Sequence, residues 1–389
     1  MQTAQYQAIT LNMQGCVFFN DAQYEKAAEK FKAASNFCLA NQSNLLNEYR
    51  TNEADCYLVL GDWSRAIGLY DQVLTSDGDC KDARVGKIKA LNAQGCALGR
   101  DAQYYDAAEK FNTALDLCGD AESVLRNKCS VREAGSYFLL GDYSRAIELY
   151  DKVLVQNGDY KAAQIGKAIA LNCQGCILWG EKEYQQAAEK FKAASNLCSD
   201  DESYLREKYR TNEADCYGEL GEHEKAIELY DDVLAKDINY RNAKIGKAIA
   251  LNSQGCDLWG EGEYQQAAEK FRGASELCPE TEVDLQNEYC TNEADCYGEL
   301  GEYEKAIELY DEILERDGDY KEAKIGKAIA LNSQGRALWC EGEYQQAIAK
   351  FKAASNFCPE TEIDLQNEYC ANEADCYGQL GLYKGEMGL

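Results

Sequence analysis

A five-residue string, Leu-Asn-x-Gln-Gly, constrains this chain more than any other feature. It begins at Leu11, Leu91, Leu171, Leu251 and Leu331, each time 80 residues further on. A sequence that repeats at such a period folds as a row of equivalent pieces, none able to bury its apolar face alone. The 389 residues divide into units 1–80, 81–160, 161–240, 241–320 and a shorter 321–389. They are expected to form a single array over 1–389, in place of the two or three domains that length alone suggests.

The pattern within a unit is helical. After the Asp317-Gly318 stop, residues 319–340 run without a Gly-Pro break, with Ile325, Ala328, Ile329, Leu331 and Leu338 at helical spacing. A companion is expected from Thr281, whose Thr-x-x-Asp284 pattern resembles a capping box, to about Leu300. Shorter helices such as 302–316 follow each long one. Gly86, Gly166, Gly246 and Gly326 lie inside the long helices, where each costs about 1 kcal/mol relative to Ala. Close helix crossing is the expected reason.

In 328–361, Gly335, Leu338, Gly342, Tyr344, Ala347, Phe351, Ala354 and Pro359 stand at the spacing of a tetratricopeptide repeat. In 287–320, Ala294, Tyr297, Gly301, Tyr303, Ala306, Ile307, Tyr310, Ile313 and Leu314 repeat it. Each unit thus resembles two tetratricopeptide hairpins, spaced 39 and 41 residues apart, against the usual length of about 34. The lengthened form is similar to the subclass found in polarity and G-protein adaptor proteins. The resemblance implies an all-α, right-handed superhelical solenoid of antiparallel hairpins, non-enzymatic, with first helices lining a concave groove that binds protein. Ala27, Ala107, Ala187, Ala267 and Ala347 would mark the closest helix approach, and Phe31, Phe111, Phe191, Phe271 and Phe351 would fill the space beside it.

Composition excludes several functions. The chain has 68 acidic and 40 basic side chains, a net charge of −28, and one His. That excess argues against a nucleic-acid partner, and a lone His against triads and imidazole metal sites. No apolar run reaches the ~18–20 residues of a membrane span, and no leader is expected. The 19 Cys fall mainly in three phases: Cys16, Cys96, Cys176, Cys256; Cys38, Cys118, Cys198, Cys278, Cys358; and Cys56, Cys216, Cys296, Cys376. Each phase sits in an apolar helical pattern, where free Cys packs as a small hydrophobe. Ser136 and Arg336 interrupt the series, as bridged partners rarely allow. Structural thiols without metal or cofactor, in a reducing, cytoplasmic compartment, are expected. His223, where neighbouring units carry Tyr, reads as a surface residue.

Two rows of asparagine are the candidate peptide contacts: Asn12, Asn92, Asn172, Asn252 and Asn332 in one hairpin type, Asn52, Asn212, Asn292 and Asn372 in the other, with Arg132 breaking the second. An amide offers both donors and an acceptor to an extended backbone. The rows resemble the asparagine ladder of O-linked N-acetylglucosamine transferase. The alternative is that each Asn satisfies its neighbours or is carried along with the duplication. Asp55, Asp215, Asp295 and Asp375 lie beside the second row, and Glu48, Glu288 and Glu368 one turn before it. The groove would therefore be negative and suit a polar or basic peptide or helix. The charge steepens from −5 over 1–80 to −10 over 281–360.

At the ends, Met1 aligns with Lys81, so the array is expected to start uncapped. The sequence reaches Gly381 where a tenth hairpin's second helix should begin. The last long helix is then expected to expose Leu365, Tyr369, Ala374, Tyr377 and Leu380. Head-to-tail self-assembly into a filament through such ends is the alternative function.

Overall fold

The computed structural model describes residues 2–38 and 42–386. Its helices are α1 (Gln2–Asn20), α2 (Tyr24–Asn36), α3 (Ser43–Leu60), α4 (Trp63–Ser76), α5 (Lys81–Arg100), α6 (Tyr104–Asp116), α7 (Ser123–Leu139), α8 (Tyr143–Gln156), α9 (Lys161–Gly180) and α10 (Tyr184–Asn196). They continue with α11 (Ser203–Glu219), α12 (His223–Leu234), α13 (Arg241–Gly260), α14 (Tyr264–Leu277), α15 (Val283–Glu299), α16 (Tyr303–Arg316), α17 (Lys321–Cys340), α18 (Tyr344–Phe357) and α19 (Ile363–Glu386). Short 3₁₀ turns precede α7 and α11, and no strand occurs among the described residues. The chain separates into two compact parts, one of residues 1–177 and 193–203, the other of 178–192 and 204–389. Within each, successive helices pack against one another, and neighbouring odd-numbered helices (α3 with α5, α15 with α17) also touch. The first helices thus share a face.

The helices begin and end for local reasons. The Asp62 and Asp142 side chains accept hydrogen bonds from the backbone N–H of Arg65 (3.2 Å) and Arg145 (3.0 Å), capping α4 and α8. Asp77 and Asp237 close the turns after α4 and α12 by accepting from the backbone N–H of Asp79 and Asn239. These aspartates stop helices, as their Asp-rich turns suggest. The expected capping box at Thr281 does not form: the chain first turns from Pro279 to Glu282, whose N–H donates to the Pro279 carbonyl at 2.8 Å, and α15 starts at Val283.

Packing rests on aromatic rings laid on glycine. A Cβ at Gly255 would fall 2.6 Å from the Phe271 ring, and one at Gly326 2.5 Å from that of Tyr310. Phe31, Phe111 and Phe351 lie likewise on Gly15, Gly95 and Gly335, and Tyr70, Tyr150 and Tyr230 on Gly86, Gly166 and Gly246. The close crossing expected at the long-helix glycines is therefore a ring against backbone. Ala27, Ala107, Ala187, Ala267 and Ala347 are fully buried beside these contacts.

Two expectations need correction. In the first cysteine phase, Cys16, Cys176 and Cys256 are exposed and Cys96 half-buried. Each follows a glycine (Gly15 and its equivalents) and so points about 100° away from the ring that glycine receives. The third phase is buried. Second, α19 does not break at Gly381. Gly61, Gly141, Gly221 and Gly301 end the corresponding helices at φ between 77° and 82° and are followed by an acidic N-cap residue. After Gly381 comes Leu382, with no such start signal, and the helix continues to Glu386.

A pair of alanine substitutions separates ring packing from helix propensity. Gly68 lies exposed inside α4, with nothing within 4 Å of the place a Cβ would take. Gly68→Ala should raise stability by up to about 1 kcal/mol. Gly86→Ala should lower it by about 1–3 kcal/mol, because Tyr70 must leave its seat. Thermal melts showing the same sign for both would refute this account of the packing.

Candidate peptide-binding face

The asparagine rows meet each other. Asn52 Nδ2 donates to Asn12 Oδ1 at 3.2 Å, Asn292 to Asn252 at 2.9 Å, and Asn372 to Asn332 at 2.9 Å. Asn332 also donates to Glu368 Oε1 at 3.2 Å. The partners are 40 residues apart, on neighbouring first helices. Each pairing uses one N–H and one carbonyl, so part of every amide's capacity serves its neighbour. Where Arg132 breaks the row, Asn92 is buried and accepts only a weak Cys129 Sγ contact at 3.8 Å. Asn172 is buried and Asn212 half-buried.

The aspartates beside the second row are held by tyrosine. The Tyr70 hydroxyl donates to Asp55 Oδ1 and that of Tyr230 to Asp215 Oδ1, both at 2.5 Å. Tyr310 does the same to Asp295. The ring that rests on a glycine of the next hairpin therefore carries its hydroxyl back to an aspartate of its own hairpin. Sequence reasoning assigned the aspartates to the groove and missed that a tyrosine side chain joins them to the packing beneath. The constant 15-residue offset was the available signal. Burial pushes the Asp215 carboxyl up from 3.8 to about 6, against the Tyr230 hydroxyl and with a further push from the Glu219 charge. Asp55 and Asp295 are raised in the same way. Among the expected acids of the outer row, Glu48, Glu288 and Glu368 are exposed.

In the second part, two adjoining cavities of about 300 Å³ each share Asp215, Gly246 and Ile249. One runs along α11 and α13 past Tyr204, Lys208, Asn212, Tyr240 and Asn242. The other reaches Trp179, Glu219 and His223. A smaller one, about 130 Å³, touches Asn52 and Asp55 in the first part. The structure thus brings Asn212, Asp215 and exposed Ile249 (48%) to one open groove, and Ile329, at the same position in the next unit, is exposed as well (45%). Sequence reasoning counted Ile329 only as part of an apolar helical pattern and did not place these isoleucines on the face. His223, expected on the surface, is largely buried, with its side chain 18% exposed. Among the described residues no group of three or more His, Cys, Asp or Glu is placed to hold a metal, and no helix is long and apolar enough to cross a membrane.

The end residues divide. Tyr377 is exposed (48%) and Leu365 and Leu380 are half-buried, but Tyr369 is 1% exposed. Tyr369 occupies the position of Tyr49, Tyr209 and Tyr289. It packs back against Leu331, Ala354 and Cys358, so it needs no following helix to cover it. Met1 lies outside the described residues.

Models of the tetratricopeptide repeat family match residues 51–117, 208–235 and 288–360. The chain carries tetratricopeptide repeats. Its 19 described α-helices make it an all-α solenoid of that family. Among curated proteins, a probable UDP-N-acetylglucosamine–peptide N-acetylglucosaminyltransferase, SPINDLY, from Hordeum vulgare is 29% identical over 42% of this chain and 15% of its own length. Small glutamine-rich tetratricopeptide repeat-containing protein 2 from Mycosarcoma maydis is 30% identical over 31% of this chain and 30% of its own. The chain therefore spans less than a third of either relative. Among solved structures, the C-terminal part of a TPR repeat-containing protein from Cytophaga hutchinsonii is 16% identical, with a TM-score of 0.42 over 71% of this chain and 98% of that one.

The raised Asp215 carboxyl sets a pH dependence. The folded chain holds that proton more tightly than the unfolded one, so the group adds stability below about pH 4 and loses it as pH rises through about 6. Asp215→Asn keeps an acceptor for Tyr230 and removes the titration. Its stability relative to wild type should climb by about 1–2 kcal/mol between pH 4 and 7 and then level off. Melts from pH 4 to 8 giving a constant difference would contradict this.

Proposed function

We propose that the first-helix face of this scaffold binds an extended polar or basic peptide. The groove between α11 and α13 carries the reading: it places Asn212, Asp215, Tyr204, Asn242 and Ile249 along one open wall. The paired asparagines offer their remaining donors and acceptors to a peptide backbone, and the exposed isoleucines take its apolar side chains. The acidic residues favour positive charge, which a net charge of −28 reinforces at longer range. A basic clamp for a terminal carboxylate has no counterpart in the Asn, Asp and Ile of this face. The free thiols suit a reducing, cytoplasmic setting.

Selection of displayed random peptides on the immobilised full chain tests the reading. Enriched peptides should carry net positive charge. Their binding should weaken at least about tenfold, or 1.4 kcal/mol, with Tyr204→Ala, Asn292→Ala or Ile329→Asp. Tyr204 and Ile329 are exposed (66% and 45%), so their variants should melt like wild type. Acidic selected peptides, or binding indifferent to all three changes, would defeat the proposal.

A further inference from the structure

The repeats differ from one another at one position that bears on ligand charge. In the first unit the aspartate of the face, Asp55, has Lys89 as a nearby cation that favours its ionised form. The residues corresponding to Lys89 in the third, fourth and fifth units are Ile169, Ile249 and Ile329. Asp215, like Asp295, is therefore an acid of the same kind, held by the same tyrosine contact, with an isoleucine at the Lys89 position and with a glutamate (Glu219, Glu299) adding negative charge; Lys208 lines the adjoining cavity on its other side. In the second part an open cavity of about 300 Å³ occupies the space in front of Asp215.

That cavity has the lining a cation on an aliphatic stem requires. Asp215 gives one oxygen to Tyr230 and keeps the other. Glu219 stands one turn further along α11, at the mouth. Trp179 and Ile249 form apolar walls, and Gly246, which seats the Tyr230 ring, also lines the cavity. His223, the single histidine of the chain, holds the position filled by Trp63, Tyr143 and Tyr303 in the other units. Its Nε2 lies 4.0 Å from Asp257 Oδ2, and its Nδ1 is buried without a hydrogen-bond partner. An unmet polar atom in the wall of a cavity is a cost that a ligand group can relieve.

We propose that this pocket receives a lysine or arginine side chain of the bound peptide, which takes at Asp215 and Glu219 the place Lys89 takes at Asp55. The assignment rests on the peptide-binding reading of the face and sharpens it: the basic residue of the ligand enters beside Asp215. A guanidinium or ammonium there forms charge-assisted hydrogen bonds to carboxylates partly withdrawn from water, while its methylene stem lies on Ile249 and Trp179. Ionisation of Asp215, which burial opposes, becomes favourable once the cation is in place.

The lone histidine makes the pocket directly observable. The full-length chain, labelled at histidine, is titrated with N-acetyl-arginine amide, N-acetyl-lysine amide and N-acetyl-citrulline amide, and the His223 ring signals are followed by NMR. Arginine, lysine or both should shift those signals saturably, and citrulline at least about tenfold more weakly. The arginine and lysine arms show which cation the pocket prefers. Asp215→Asn should abolish the shift, and Ile249→Lys, which supplies the cation that Lys89 sets beside Asp55, should do so too. Gly68→Ala, in α4 and away from the pocket, should leave it intact. Equal responses to citrulline and arginine, no response to either cation, or a response that survives Asp215→Asn would overturn the proposal. Circular-dichroism melts of both pocket variants separate loss of binding from loss of fold. Selected peptides that depend on Tyr204 and Ile329 while the basic amides leave His223 unmoved would sink this inference alone. Basic amides that bind while selected peptides ignore the face would sink the peptide reading instead.

Discussion

An aromatic ring packed against a helical glycine is the contact on which the rest of this molecule depends. Two such contacts alternate. The phenylalanine of a first-type hairpin rests on the glycine of its own first helix, as Phe271 does on Gly255. The tyrosine closing a second-type hairpin rests on the glycine of the helix that follows, as Tyr310 does on Gly326. One fixes the two helices of a hairpin, the other fixes a hairpin to its successor. Each glycine lowers helix propensity by about 1 kcal/mol, a penalty the buried ring offsets through the apolar area it removes from water. A chain built from such nearest-neighbour contacts spreads its stability along its length.

The tyrosine contact also shapes the outward face. Because the Tyr230 ring is held against Gly246, its hydroxyl arrives at a fixed place and meets Asp215 at 2.5 Å. The aspartate is thereby oriented by the packing beneath it, with one oxygen committed to the tyrosine. The asparagine pairs act similarly, since each amide is steadied by another 40 residues away. Side chains pinned in this way lose little freedom when a ligand arrives, which favours binding by a face otherwise rich in mobile polar groups.

Much of this could be read before the structure, and the exceptions share a cause. Period, helix type, the alanine slots and the glycine crossings all express a demand made in every repeat, and repetition makes such a demand visible. Contacts between repeats are another matter. That Asn292 meets Asn252, or that Tyr310 reaches Asp295, depends on how neighbouring helices are offset along their axes, which residue spacing within a helix does not determine. The exposed Cys16 and Cys256 fail differently. They belong to an apolar-looking pattern, but the turn of about 100° from the adjacent buried glycine carries them off the core face. Thr281 failed because a capping pattern identifies a plausible start, and the turn from Pro279 to Glu282 preempts it.

The second unit shows that the core contact and the polar face are separable. There Arg132, Gly135 and Ser136 stand where other units carry Asn, Asp and Cys, and Cys129 replaces the buried tyrosine. Tyr150 has lost its aspartate, yet it remains 5% exposed and seated on Gly166. The ring needs the glycine; it does not need the carboxylate. Acids, asparagines and the residue at the Lys89 position are therefore free to change from unit to unit without unseating the stack. Of the three joined aspartates, Asp55 has Lys89 favouring its ionised form, whereas Asp215 and Asp295 have isoleucine at that position and are pushed further up by Glu219 and Glu299. Variation of that kind, laid over an unvarying core, gives successive repeats of one array outward faces of different charge.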